Sequence, residues 1–149
     1  MLNAQQLVFE LLKPHAAAIK ADLKPDLKAV NLVKLPLVTF RIRLGTALND
    51  GGMESPMAWS AALDLSWFGQ SEDEVFDQAA AGYDFVHAWN NPFRGPSGVV
   101  PGLGSIGSLT DRSAPSLIGV SDLPGHVTVQ YSAGFDIDVH EAPRPDRTD

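Results

Sequence analysis

Val127-Thr-Val-Gln-Tyr-Ser-Ala-Gly-Phe-Asp-Ile-Asp-Val139 alternates apolar and polar residues over thirteen positions without a break. A period of two places Val127, Val129, Tyr131, Ala133, Phe135, Ile137 and Val139 on one face of a β-strand. Thr128, Gln130, Ser132, Gly134, Asp136 and Asp138 then share the other. A slip of one residue would turn the whole apolar row to solvent, so this strand has a fixed register and one buried face.

Two earlier stretches read the same way. Val38, Phe40, Ile42 and Leu44 share a face opposite Thr39, Arg41 and Arg43, in a strand that opens after Pro36. Met57, Trp59, Ala61, Leu63, Leu65 and Trp67 line one side of a second strand, with Ser60, Asp64 and Ser66 on the other. Between them Gly45 to Pro56 contains Asn49, Asp50, Gly51 and Gly52, residues that tolerate positive φ, and predicts a long hairpin loop.

Helices flank these strands. Asn3 and Gln6 form a capping pair ahead of a stripe of Leu7, Val8, Leu11 and Leu12, and Pro14 is expected to end or kink that helix. An Ala-rich turn from His15 to Ala21 follows. Ser71 and Glu74 spell a capping box, with Glu72 and Asp73 favourable against the helix dipole. The helix beyond them presents Val75, Phe76, Ala79, Ala80, Tyr83 and Val86 until Asn90, Asn91 and Pro92. Phe93 to Gly107 is dense in glycine and proline and reads as an irregular excursion. Short extended pieces are expected at Ile106–Arg112 and Leu117–Ser121.

The order helix, strand, strand, helix, strand, strand predicts an α+β fold: two layers, a mostly antiparallel sheet of about four strands, and helices packed on one face. Residues 1–140 form one domain in this reading, and 141–149, Pro-rich and charged, a disordered tail. A chain of 149 residues suffices for a single core.

Composition narrows the function classes. Cysteine is absent, which excludes disulfides, thiolate nucleophiles and cysteine zinc sites, and the four histidines are scattered. Eighteen acidic against eleven basic residues, net −7, argue against a surface that grips nucleic acid. No apolar run is long enough to span a bilayer, and no signal-peptide pattern opens the chain.

Candidate chemistry is sparse. Gly102, Gly104 and Gly107 have GxGxxG spacing but lack the preceding strand, following helix and acidic partner of a dinucleotide site. Asp136, Asp138 and His140 share a strand face, an arrangement that alternation alone produces on a solvated sheet. His87 suits the C-terminal end of its helix. His15 and His126 flank breaks and are expected on the surface. No GxSxG elbow marks a hydrolase. No catalytic, cofactor or metal site is assigned.

Leu35-Pro-Leu-Val-Thr-Phe40, Ala62-Leu-Asp-Leu-Ser-Trp-Phe-Gly69, the acidic-capped helix Glu72 to Trp89, and Val127 to Val139 preceded by Leu123-Pro124 carry a resemblance. In these segments, spanning roughly residues 2–140, the chain resembles the tail-terminator proteins of long-tailed, siphovirus-like bacteriophages, especially those of actinobacteria. It departs from many of them in a longer Asn90–Thr110 segment. The resemblance implies a non-enzymatic structural protein of the virion, assembled in the host cytoplasm. In that role it forms a ring, usually a hexamer, at the head-proximal end of the tail tube, where it stops tube polymerisation and docks head-completion proteins. The implied partners are further copies of itself, the tail tube protein, a head-completion or stopper protein, and DNA in transit; no membrane and no cofactor is implied. Asp64, Asp136 and Asp138 are then candidate lumen-facing acids, and Asn49, Asp50, Met53, Phe93, Arg94 and Leu103 candidate partner-contacting residues. The alternatives are a head–tail connector or stopper subunit, and a small-molecule-binding or hydrolytic domain using the Gly-rich loop.

Overall fold

A computed structural model describes residues 3–25, 35–48, 57–90, 98–123 and 126–142. In chain order these form α1 (Ala4–Ala18), β1 (Asp22–Pro25), β2 (Leu37–Ala47), β3 (Ala58–Gly69) and α2 (Glu72–His87). A 3-10 turn at Ala88–Asn90 precedes β4 (Val99–Val100), β5 (Gly104–Leu123) and β6 (His126–Glu141).

The α+β expectation of a four-stranded antiparallel sheet with helices on one face is overturned: the protein is mostly β, a six-stranded mixed sheet curled into a half-barrel, with only two helices among the described residues. Strand order is β1-β2-β3-β6-β5-β4, and β1 runs parallel to β2, pairing Asp22 with Leu37 and Leu23 with Val38. The curl has a source in β5. It uses twenty residues where β6 uses sixteen, and the register shifts between Ile106 and Leu109, Asp111 and Ser113, Ser113 and Ser116, and Leu117 and Gly119. Each shift adds one residue to β5 alone, and such bulges bend a strand and raise its twist.

β6 follows its alternation. Val129, Tyr131, Ala133, Phe135, Ile137 and Val139 are all buried. Its antiparallel pairing with β3 aligns Leu63 with Phe135 and Trp67 with Tyr131, which joins the two most regular apolar rows. The core is completed by Leu7, Val8, Leu11 and Leu12 of α1, Phe40 of β2, and Val75, Ala79 and Val86 of α2.

Other local expectations are corrected. Asn3 caps α1 as predicted, accepting from the Gln6 N–H at 3.0 Å. Pro14 does not end the helix, which continues to Ala18 because His15 and Ala16 are buried in the core. Instead α1 stops in a Schellman arrangement: Lys20, at φ 55°, donates to the Ala17 carbonyl and Ala21 to that of Ala16. The Ser71 side chain makes no capping bond; the carboxylates Glu72, Asp73 and Glu74 occupy the first turn. Phe76, expected in the core, is half exposed, and Gly82 takes the buried position. The excursion expected from Phe93 to Gly107 contains β4 and the start of β5, and the two short pieces expected after it are one continuous strand. Glu141, assigned to the tail, ends β6 and accepts from the Met57 N–H at 2.8 Å. Residues 143–149 lie outside the described residues.

Candidate functional site

The face of the sheet turned away from the helices carries the charged residues. Pairing aligns Arg41 with Asp64, Arg43 with Ala62, and Ala62 with Asp136, so β2, β3 and β6 each deliver side chains to this face. Arg112 arrives from β5, where it is the extra residue between Asp111 and Ser113. Its guanidinium binds Asp64 and reaches the Asp136 carboxylate at 3.2 Å, while Arg43 approaches the other oxygen of Asp64 at 3.5 Å.

Gly134 makes this geometry available. A Cβ there would stand 2.5 Å from Nη2 of Arg112 and 3.0 Å from its Cζ, so the guanidinium lies close over bare backbone, bonded to both carboxylates. Beside this network opens a shallow trough of about 650 Å³, bounded by Arg43, Ser60, Thr110, Asp136 and Asp138. Gly45 and Ala62 keep its floor low.

The three candidate acids therefore share one face, as the alternation requires, but they are not an open acidic surface. Asp64 is held by two arginines, Asp136 by one, and Asp138 accepts from the Ser108 hydroxyl at 2.6 Å. Exposed ion pairs of this kind are worth only about 0–1 kcal/mol each. Their consequence is electrostatic: Arg41, Arg43 and Arg112 offset three carboxylates locally. Sequence reasoning placed the acids and missed Arg112, because β5 was not legible as one strand.

Ser108, Asp138 and His140 lie near one another on this face, yet Ser108 donates directly to the carboxylate. A hydrolytic triad needs the imidazole between serine and acid. Among the described residues no group of three His, Asp or Glu could hold a metal ion. The glycines of the GxGxxG spacing form the β4–β5 turn, with Gly102 at φ 82°, and then enter β5; no helix follows. Of the candidate partner-contacting residues, Leu103 is half buried against the core, its N–H bonded to the Val100 carbonyl. Asn49, Asp50, Met53, Phe93 and Arg94 lie outside the described residues.

A second polar cluster, not anticipated from sequence, joins α2 to β5 on the opposite face. Asp111 accepts from the Tyr83 hydroxyl and meets His87 Nε2 at 2.6 Å, above the Phe135 ring. The hydrogen bond to Asp111 raises the Tyr83 pKa above its ordinary value. This cluster clamps the helix to β5. His87 thus has a neighbour beyond the helix terminus that its position suggested.

No family model and no curated protein matches the chain.

Proposed function

We propose that this chain is a structural subunit of a long-tailed bacteriophage, forming the ring that terminates the tail tube at its head-proximal end and offers a docking surface to head-completion proteins. The reading rests on the resemblance of the segments around Leu35, Ala62, Glu72 and Val127, and one structural observation supports it. Beyond its two-residue pairing with β4, β5 has an outer edge that no other strand pairs among the described residues, and there Leu117, Ile118 and Val120 are all half exposed, next to the equally exposed Phe76. Apolar side chains on an unpaired strand edge favour association with another chain.

In this role Asp64, Asp136 and Asp138 are candidates for the face toward transiting DNA. Loss of the protein should give tails of uncontrolled length that fail to join heads, seen by electron microscopy of lysates from a phage lacking the gene. Tails of normal length that fail only to join heads would instead favour a connector or stopper. Normal tails with joined heads would sink both.

A further inference from the structure

All five lysines of the chain fall between Lys13 and Lys34, whereas residues 71–90 hold five carboxylates and neither lysine nor arginine. The fold sets Lys20 and Lys24 at the β1 end of the sheet, away from α2, while α1 with Lys13 spans the middle and reaches β4 as well as β1 and β2. Lys24 lies in β1, the edge strand at one end, and Lys13 and Lys20 are exposed on α1 and in the turn leading from it to β1. α2 packs over β3, β6 and β5 near the other end. There the Tyr131 hydroxyl donates to Glu72 at 3.4 Å, which ties the acidic first turn to the position where β6 pairs with Leu117.

Leu117 and Val120 stand opposite Tyr131 and Val129, so both project on the helix side of the sheet. Phe76 meets the Tyr131 ring edge-on at 5.8 Å. The result is an apolar strip flanked by Glu72, Asp73 and Asp77, at the outer edge of β5. Among the described residues β4 pairs only with Gly104 and Ser105, leaving the rest of that edge without a neighbouring strand.

We infer that the occupant of this edge is a second copy of the chain, docked head to tail: the Ser116–Val120 edge and acidic α2 turn of one copy against the lysine-bearing β1 edge of the next. The inference builds on the ring reading above and specifies its surfaces. Charge complementarity selects this arrangement, since Lys20 and Lys24, which outnumber Asp22 at the β1 edge, face Glu72, Asp73 and Asp77 across it. A two-fold pairing of β5 with β5 would instead bring two acidic α2 turns together, and like charges in apposition are unfavourable. Backbone chemistry agrees. Pro115 has no N–H to donate and interrupts the free edge of β5, confining the usable stretch to Ser116 onward. The half-exposed part of that stretch, Ser116–Val120, is of similar length to the four-residue β1. The contact joins two different surfaces and is heterologous, so successive copies close a ring or propagate.

The natural absence of cysteine makes a direct test clean. Ile118→Cys and Lys24→Cys are prepared as separate single-cysteine proteins and mildly oxidised, alone and mixed, at low ionic strength. The inference requires disulfide-linked dimers in the mixture and little in either protein alone. In the parallel experiment, Lys20→Glu with Lys24→Glu should weaken self-association by about tenfold or more in sedimentation. Mixing that variant with one carrying Asp73→Lys and Asp77→Lys should restore association, because each altered surface then meets an opposite charge on the other copy, and combining all four changes in one chain should restore it as well.

Preferential cross-linking of Ile118→Cys with itself would overturn the arrangement. So would an unmodified protein that stays monomeric to about 1 mM, a concentration at which even weak specific contacts register. A self-paired or monomeric protein whose loss still gives over-long tails would sink this interface and leave the proposed role intact. Head-to-tail association without any tail defect would do the reverse.

Discussion

Trp67 Nε1 donates a 3.0 Å hydrogen bond to Nε2 of His15, fastening α1 to the centre of the sheet. The bond requires the neutral imidazole with its proton on Nδ1, because an Nε2–H would meet the indole N–H donor to donor. Phe85 stacks on the same imidazole at 5.6 Å, and the residue is only 3% exposed. Burial lowers the His15 pKa from 6.5 to about 4.

Acid sensitivity follows from that depression. Between pH 6.5 and about 4 the unfolded chain binds a proton that folded His15 refuses, so stability is complete above 6.5 and falls as pH drops through this window. The full loss is about 3 kcal/mol, from a shift of roughly two and a half units at 1.36 kcal/mol each. Urea titrations at pH 7 and pH 5 should show most of the loss expected to that point, ahead of carboxylate protonation. His15→Leu should flatten the dependence over this range while lowering stability at pH 7 by about 1–3 kcal/mol, because the Trp67 N–H is left unpaired. An unchanged slope in the variant would assign the effect elsewhere.

Gly82 sits against the same pair. A Cβ there would stand 2.8 Å from His15 Nε2 and 2.9 Å from Cε2 of Trp67. Replacing a mid-helix glycine by alanine ordinarily gains about 1 kcal/mol. Here the neighbours are rigid buried rings, and overpacking costs about 1–3 kcal/mol. Gly82→Ala should therefore give no stabilisation and a net loss of up to about 2 kcal/mol, read as a lower melting temperature by calorimetry. A melting temperature raised by several degrees would show that α2 shifts freely.

Gly134→Ala tests the opposite case. Its new methyl would meet the far end of Arg112 and the Ser113 hydroxyl, both of which can rotate away. The lost ion pairs are exposed and worth about 0–1 kcal/mol each, and alanine recovers some strand propensity. The expected change is within about 0.5–1 kcal/mol of zero, a contrast with Gly82 that chemical denaturation of the two variants side by side would measure.

The difference between the legible and illegible parts of this fold is physical. β3 and β6 pair over twelve consecutive positions without a bulge, so their sequence keeps a period of two and discloses both register and buried face. In β5 the residues that share the helix side are Ile106, Leu109, Asp111, Leu117 and Val120, spaced irregularly because four extra residues are inserted against β6. No fixed period can find such a strand, and without it neither Arg112 nor Asp111 could be placed. β1 and β4, with four residues and two, are too short to carry a pattern. His15 was expected at the surface because Pro14 looked like a terminator. Pro14 only forgoes one helix bond, and the buried contacts of His15 with Trp67 and Phe85 carry the helix past it. Of the candidate site, the three acids were legible on their shared face; their neutralisation by arginines from other strands was not.

That neutralisation bears on the proposed DNA-facing role. An acidic lining disfavours sticking because phosphates are repelled at short range, within about a Debye length of 8–10 Å. Here Arg112 draws down the charge of Asp64 and Asp136, leaving Asp138 with a hydroxyl partner only among the contacts on this face. Arg112→Gln should free Asp136 and leave Asp64 with Arg43 alone, making the face more acidic while leaving assembly intact. Asp136→Lys with Asp138→Lys moves the same face by four charges in the basic direction, placing a lysine beside Arg112. If this face meets DNA, the second variant should assemble normally and eject DNA more slowly, increasingly so as salt is lowered, since contacts to phosphates weaken steeply with ionic strength. The Arg112→Gln particle should eject at the parent rate or faster. Parent-like ejection by the double-lysine particle at low salt, or imaging that puts Asp136 on the outer wall of the ring, would remove this face from the DNA path.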